Sequence, residues 1–266
     1  MRKILQYSNY LQQELLEREI SSFYHKDLCP SFWDKQESGD SVKWEFDQRI
    51  RKKLVRIGKE FFNQFKGPLK QKDIKDIQLT GSLANFNWTE LSELDIHIIV
   101  NFSGLNDKNP EILKGEINSI KFRWNTEHQI KIRGHEVELF INDSKEHHSE
   151  SALFSLLENK WIKNPVYDPP EIDEKDIDKK YDSLVYDIEQ LETKLTAADL
   201  PSNAKDLYKR CIRTKEKLQK IRKEYLRKGG DMSIGNLVFK KLKNKGYIEK
   251  LIDTTSKAYD KIYNEK

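Results

Sequence analysis

Apolar residues recur at changing intervals along the chain, and these intervals predict an alternation of strands and helices. Spacings of three or four over residues 44–65 predict a helix with one buried face, ended by Gly67 and Pro68. Shorter alternating runs predict strands over 74–79, 94–102 and 130–141, the last bent or divided at Gly134. Further helices are predicted over 2–20, 110–124 and 151–161, a helical turn over 83–88, and a loop over 23–43.

The proline-rich stretch 164–173 separates this region from a purely helical pattern. One apolar seam predicts a helix over 177–195, and a second predicts a helix over 207–225. A third helix should follow Gly229-Gly230, with Ser233 as its N-cap. The sequence therefore predicts an α+β fold: a mixed-sheet domain over 1–165 with N-terminal helices, then a helical domain over 171–266.

Composition adds limits on the class of protein. The chain has 266 residues, of which 35% are charged and 36% hydrophobic, and its net charge is +4. Such values favour folded domains with highly charged surfaces, and binding partners must be inferred from local charge clusters. Cys29 and Cys211 form no disulfide or zinc pattern, the first twenty residues are charged throughout, and no apolar run approaches membrane-spanning length. We expect a cytoplasmic protein without membrane partners.

Three chemically active side chains share one face of the strand predicted over 94–102. Glu93, Asp95 and His97 alternate with Leu94 and other apolar residues, so the polar side chains point away from the core. Two carboxylates about 7 Å apart along a strand repel each other. A divalent cation such as Mg²⁺ or Mn²⁺ would relieve that repulsion, because hard cations prefer carboxylate oxygens.

The preceding Gly81-Ser82 step is suited to binding phosphate. Gly81 permits close backbone approach, Ser82 offers a hydroxyl, and a following helical turn would point N–H groups at an anion. Carboxylates that bind metal ions beside a phosphate site are typical of nucleotidyl transfer, in which one ion activates the attacking hydroxyl and the other neutralises the leaving pyrophosphate.

This arrangement resembles the signature of the DNA polymerase β-like nucleotidyltransferase superfamily. Gly81-Ser82 is followed by ten residues and then by Glu93-Leu94-Asp95. Residues 79–100, 135–161 and 233–251 more closely resemble the predicted nucleotidyltransferases of tailed phages and bacteria. The resemblance implies a polymerase β-like fold, an NTP substrate, and Glu93 and Asp95 as catalytic metal ligands. The superfamily usually has Asp where this chain has Glu93, which is one methylene longer.

The resemblance also implies a third carboxylate on a neighbouring strand. In "GHEVELFIND", Glu136 and Glu138 share one face. The apolar–acidic–apolar pattern of the family favours Glu138 as the third catalytic metal ligand, with Glu136 as the alternative.

The segment 205–228 is strongly basic, with eleven Lys or Arg and three Asp or Glu. The preceding segment 171–195 is acidic, so the two helices could simply complement each other in charge. Alternatively the basic face binds triphosphate, RNA or tRNA, and Lys209, Lys215 and Arg222 are the candidate contacts.

Three functions remain open at the level of sequence. The first is metal-dependent transfer of a nucleoside monophosphate from an NTP to a hydroxyl on RNA or tRNA, a protein or a small molecule. The second is a (p)ppGpp-type pyrophosphokinase, whose acidic strand resembles "VELFIND". The third is a catalytically silent module that binds nucleotide or RNA.

Overall fold

The computed structural model describes residues 24–39, 41–65, 69–102, 110–145, 151–168, 174–198, 200–230 and 233–264. The chain divides into two compact units with a boundary between Asp168 and Pro169. The helix predicted over 2–20, and its assignment to the first domain, lie outside the described residues.

The first unit is α+β and contains a mixed six-stranded sheet in the order β5-β6-β4-β3-β7-β8, plus a separate β1-β2 hairpin. The strands are β1 (Trp33–Ser38), β2 (Ser41–Phe46), β3 (Ile74–Thr80), β4 (Leu94–Val100), β5 (Lys131–Ile132), β6 (His135–Asp143), β7 (Leu153–Ser155) and β8 (Lys160–Lys163). Its helices are α1 (Gln48–Phe62) and α2 (Pro110–Glu127). These bounds confirm the strands predicted over 74–79, 94–102 and 130–141, and the helix over 110–124.

The apolar face of the sheet packs against α1. Gly58 lies so close to β3 and β4 that an added Cβ would be 3.3 Å from Ile77 Cδ1 and 3.7 Å from Ile98 Cγ1. Both isoleucines are fully buried. Because side chains alternate along a strand, the residues next to Ile98 in β4 point to the opposite face of the sheet. Asp95 and His97 lie on that opposite face.

The loop predicted over 23–43 is wrong, because the β1-β2 hairpin forms there. β2 also extends to Phe46, so the helix predicted over 44–65 begins only at Gln48. β1 has only one apolar residue, Trp33, so no alternation marks it as a strand. In β2, Val42, Trp44 and Phe46 do alternate with polar residues, but this run overlaps the start of the predicted helix. The helix begins at Asp47, whose carboxylate accepts hydrogen bonds from Arg49 N and Ile50 N.

The helix predicted over 151–161 is wrong, because β7 and β8 form an antiparallel pair there. Ala152, Phe154 and Leu156 are buried, which is the period of two of a strand. Asn159 has a φ of 55° at the turn, a left-handed conformation that asparagine tolerates.

The second unit consists, in its described residues, of four helices: α3 (Glu174–Thr196), α4 (Pro201–Gly229), α5 (Ile234–Asn244) and α6 (Tyr247–Tyr263). The two predicted seams are confirmed in the buried side chains of Ile177, Leu184, Leu207 and Cys211, among others. α6 was not predicted as a separate helix, and it contacts both α3 and α4.

Ser233 occupies the predicted N-cap position of α5, but its side chain makes no capping hydrogen bond. Among the helices of the described ranges, none has both the length and the apolar character needed to cross a bilayer.

Candidate metal centre

Three carboxylates meet on the polar face of the sheet. β4 and β6 run parallel, and their register places Asp95 directly beside Glu138. Glu93 stands just before β4, two positions from Asp95. One carboxylate oxygen from each of the three residues lies within 4.8 Å of the others, and all three residues are half-buried. We call Glu93, Asp95 and Glu138 the acidic centre.

Gly81 forms one wall of the acidic centre. It follows β3, whose last residue, Thr80, is paired with Asp95. Its φ is +75°, and an added Cβ would lie 2.1 Å from Asp95 Oδ2. Only glycine allows the backbone to pass this close to the carboxylate.

Ser82 begins a single 3₁₀ turn, Ser82–Ala84, and not the helical turn predicted over 83–88. A turn this short does not provide the helix N-terminus that was expected to bind phosphate. The Ser82 hydroxyl donates to Ser92 Oγ at 2.7 Å, and so ties the start of the loop to the residue before Glu93.

The segment that leads into β1 supports this loop from outside. Trp33 Nε1 donates to the Leu83 carbonyl at 2.8 Å, and Trp88 Nε1 donates to the Asp27 carbonyl at 3.0 Å. His25 stacks on Trp88 with ring centroids 3.8 Å apart. The residues assigned from sequence to a loop therefore position the chain that precedes the acidic centre.

Glu138 has a cationic neighbour that the sequence did not reveal. Lys121 Nζ, from α2, lies 2.8 Å from Glu138 Oε1 and 3.5 Å from the centroid of the Phe140 ring. Phe140 in turn stacks on His97, whose Nδ1 lies 2.9 Å from Asn142 Oδ1. His97 thus connects β4 with β6.

The polar side of α2 continues beyond Lys121. Asn125 and His128 follow at helical spacing, and both line a cleft of about 160 Å³ together with Glu93 and Glu138. Sequence reasoning missed this wall, because the spacing of four and then three residues shows that the side chains share a helical face but not that this face lies beside β6.

Glu136 also lines the cleft but does not join the acidic centre. Its carboxylate pairs with Lys131 on the edge strand β5 at 3.1 Å, and both side chains are more than half exposed. Of the two carboxylates proposed from sequence as the third ligand, Glu138 is the one beside Asp95 and Glu93.

Buried Gln78 and half-buried Asp76 form a polar pair farther along the same face. Gln78 is directly opposite His97 in the β3–β4 register, and it donates to Asp76 Oδ2 at 3.2 Å. Ser155 donates to Asp76 Oδ1 at 2.7 Å, yet burial still raises the pKa of Asp76 above its ordinary value. Within the described ranges, Gln78 Oε1 is buried without a hydrogen-bond partner.

The three basic candidates, Lys209, Lys215 and Arg222, belong to α4 in the helical unit. Lys209 and Arg222 are exposed and Lys215 is half-buried. Arg222 lies over the Phe239 ring at 4.5 Å. One ion pair joins the basic helix to the acidic helix α3, as charge complementarity predicts: Lys217 Nζ lies 3.0 Å from Asp187 Oδ2.

The acidic centre fits a hard divalent cation by the chemistry of its donors. All three ligands are carboxylates, and oxygens separated by a few ångströms can bracket one ion or two neighbouring ions. Comparisons with family models, with curated proteins and with solved structures found no significant match.

Proposed function

We propose that this chain is a metal-dependent nucleotidyltransferase with a polymerase β-like fold. It would transfer a nucleoside monophosphate from an NTP to a hydroxyl acceptor and release pyrophosphate. The observation that carries the proposal is the acidic centre: Glu93, Asp95 and Glu138 converge beside the Gly81-Ser82 step. The resemblance of the same residues to the superfamily signature supports it.

Each residue of the centre has a role in this proposal. Glu93 and Asp95 hold Mg²⁺ or Mn²⁺, and Gly81 fixes the position of the Asp95 carboxylate by its close approach. Glu138 completes the ligand set and orients the acceptor hydroxyl, whose proton it can accept. The bound cation would supply charge neutralisation at the triphosphate and a lower pKa for the acceptor hydroxyl.

RNA or tRNA is the acceptor that the charge distribution favours. All eleven basic residues of segment 205–228 lie in α4, and Lys209 and Arg222 are exposed on it. Lys and Arg contacts to phosphate supply the sequence-independent part of nucleic-acid binding.

The first test measures metal binding in the parent protein and in the Asp95→Asn variant. Any ligand that binds only the folded state stabilises it, by about 2.7 kcal/mol at one hundred times its dissociation constant. Mn²⁺ should therefore raise the Tm of the parent, and Asp95→Asn should abolish this response. Glu136→Gln is the matched control, because it neutralises a carboxylate on the same face outside the acidic centre. Equal metal responses of parent and Asp95→Asn would refute the site.

The second test identifies the reaction. The protein is incubated with radiolabelled NTP, Mn²⁺ and total RNA, with Asp95→Asn as the negative control. Labelled RNA, protein or another hydroxyl acceptor supports nucleotidyl transfer. A new labelled small nucleotide carrying pyrophosphate supports the pyrophosphokinase, and retention of nucleotide without turnover supports the silent binding module.

A further inference from the structure

The ion pair between Lys121 and Glu138 occupies part of the acidic centre. Lys121 Nζ lies 2.8 Å from Glu138 Oε1, so the ammonium neutralises one of the three carboxylates. The pair is largely buried, with side chains 26% and 32% exposed, so water screens it less than it screens an ordinary surface pair.

A carboxylate oxygen that accepts a hydrogen bond from an ammonium offers less electron density and less negative charge to a metal ion. Glu138 can hold a cation fully only if Lys121 withdraws or shares the carboxylate. The ammonium also lies 3.5 Å from the Phe140 centroid, and this favourable contact does not depend on the Glu138 carboxylate. The stacking of Phe140 on His97 holds that ring in place.

We propose that Lys121 is an internal counter-cation of the acidic centre, which competes with the divalent metal for Glu138 and must leave its oxygen when the metal binds. This inference rests on the proposed metal site and adds a positioning residue to it. Lys121 neutralises Glu138 before the metal arrives, and so raises the metal concentration that is needed to occupy the acidic centre.

The competition predicts the effect of Lys121→Met on metal affinity. Mn²⁺ titrations followed by electron paramagnetic resonance, which detects the free ion, give the dissociation constant directly. Lys121→Met should tighten Mn²⁺ binding by about fivefold to tenfold, because the competing charge is gone. Lys121→Arg keeps the charge and should bind Mn²⁺ no more tightly than the parent.

Lys131→Met is the matched control. It also removes one positive charge from a Lys–Glu ion pair on the face of β6, but Glu136 lies outside the acidic centre. Its Mn²⁺ dissociation constant should stay within about twofold of the parent value. Equal tightening in Lys121→Met and Lys131→Met would show a general effect of net charge and would overturn the proposal.

Thermal unfolding provides a readout that a merely structural lysine would not move. Without metal, Lys121→Met should have a lower Tm than the parent, since Glu138 loses the ion pair that neutralises it. At saturating Mn²⁺ the two Tm values should converge. A Tm of Lys121→Met that is lowered equally with and without metal would overturn the proposal. Weaker Mn²⁺ binding by Lys121→Met, restored in Lys121→Arg, would also overturn it and would make Lys121 a group that orients Glu138.

The metal site and the counter-cation role of Lys121 can be refuted separately. If the parent binds Mn²⁺ and Asp95→Asn does not, while Lys121→Met leaves the affinity unchanged, the metal site stands and the counter-cation role is wrong. If neither the parent nor Lys121→Met binds Mn²⁺, the proposed metal site and the counter-cation role both fall.

Discussion

Gly81 shows how a single missing side chain can shape a site. Its positive φ alone would favour glycine, but the approach of Asp95 Oδ2 makes the requirement much stricter. A side chain at such a position can cause backbone strain, and it can also clash with a neighbour. A second glycine of the chain allows the backbone strain to be measured without a clash. Gly39 has a φ of +58° with nothing within 4 Å of an added Cβ.

Gly81→Ala should therefore be far more damaging than Gly39→Ala. Backbone strain alone should cost Gly39→Ala about 1 kcal/mol in the free energy of unfolding. Gly81→Ala should lose roughly 3 kcal/mol or more, and it should also lose the Mn²⁺ response because Asp95 is displaced. Urea denaturation with and without Mn²⁺ measures both effects. Equal losses in the two variants would mean that Asp95 moves aside at little cost.

Two aspartates should give the protein opposite responses to pH. Burial raises the pKa of Asp76, so the folded state loses stability as pH rises through that raised value. Hydrogen bonds from Ile50 N and Arg49 N, together with Arg133, lower the pKa of Asp47. The ionised Asp47 therefore stabilises the folded state at pH values above its pKa in the unfolded chain, and this stabilisation is lost as the pH falls through its lower pKa in the folded state.

As the pH rises from about 3 to about 7, the free energy of unfolding of Asp76→Asn should increase relative to that of the parent. Over the same range, the free energy of unfolding of Asp47→Asn should decrease relative to that of the parent. Urea denaturation at several pH values gives the two slopes. Asp34→Asn, at an exposed position on β1, provides the reference. Slopes of the same sign for Asp76→Asn and Asp47→Asn would contradict the assignment.

At the residue scale, sequence reasoning found the side chains that local patterns mark. Glu93 and Asp95 are marked by strand alternation, and Glu138 by its resemblance to the family pattern. Lys121 and Asp76 were missed for a physical reason: their environment depends on long-range pairing. Nothing near Lys121 in sequence indicates that α2 passes beside β6.

At the scale of elements, prediction succeeded where burial is one-sided and failed elsewhere. β3 and β4 have clear apolar runs, and α4 has a clear seam. The segment 151–161 fits two periods, since its apolar residues are spaced by two and also by three or four. Pairing of β7 with β3, which involves Phe154 and Leu79, decides in favour of a strand.

The basic surface of α4 would act as a whole element, because its effect on RNA binding would come from a row of charges along the helix and not from one side chain. Reversal of Lys209, Lys215 and Arg222 to Glu should weaken binding of single-stranded RNA. It should also reduce the log–log salt slope by about 0.7 for each RNA phosphate that the variant no longer neutralises. Fluorescence anisotropy at several salt concentrations measures both quantities.

The control reverses three exposed lysines of the sheet unit, which changes the net charge equally: Lys52, Lys53 and Lys75. That variant should retain most of the RNA affinity. If instead the α4 variant keeps full RNA binding and only its Tm falls, α4 serves to pair with the acidic helix α3.

At the scale of the whole molecule, the two candidate activities belong to different units. The acidic centre lies within residues 24–168, and the basic helix lies beyond the boundary at Asp168. The metal titrations therefore report on the sheet unit and the RNA titrations on the helical unit. The sequence predicts a change of architecture near residue 165, because the proline-rich stretch coincides there with a change of hydrophobic period.

The parallel pairing of β4 with β6 also determines when the centre can exist during folding. Glu93 and Asp95 arrive with the β3–β4 hairpin, but Glu138 is 43 positions beyond Asp95 and requires closure of a long crossover. Pairings of such sequence separation form late, after the entropy of the intervening chain has been lost. A bound cation would then act after the rate-limiting barrier, slowing unfolding while leaving the refolding rate nearly unchanged.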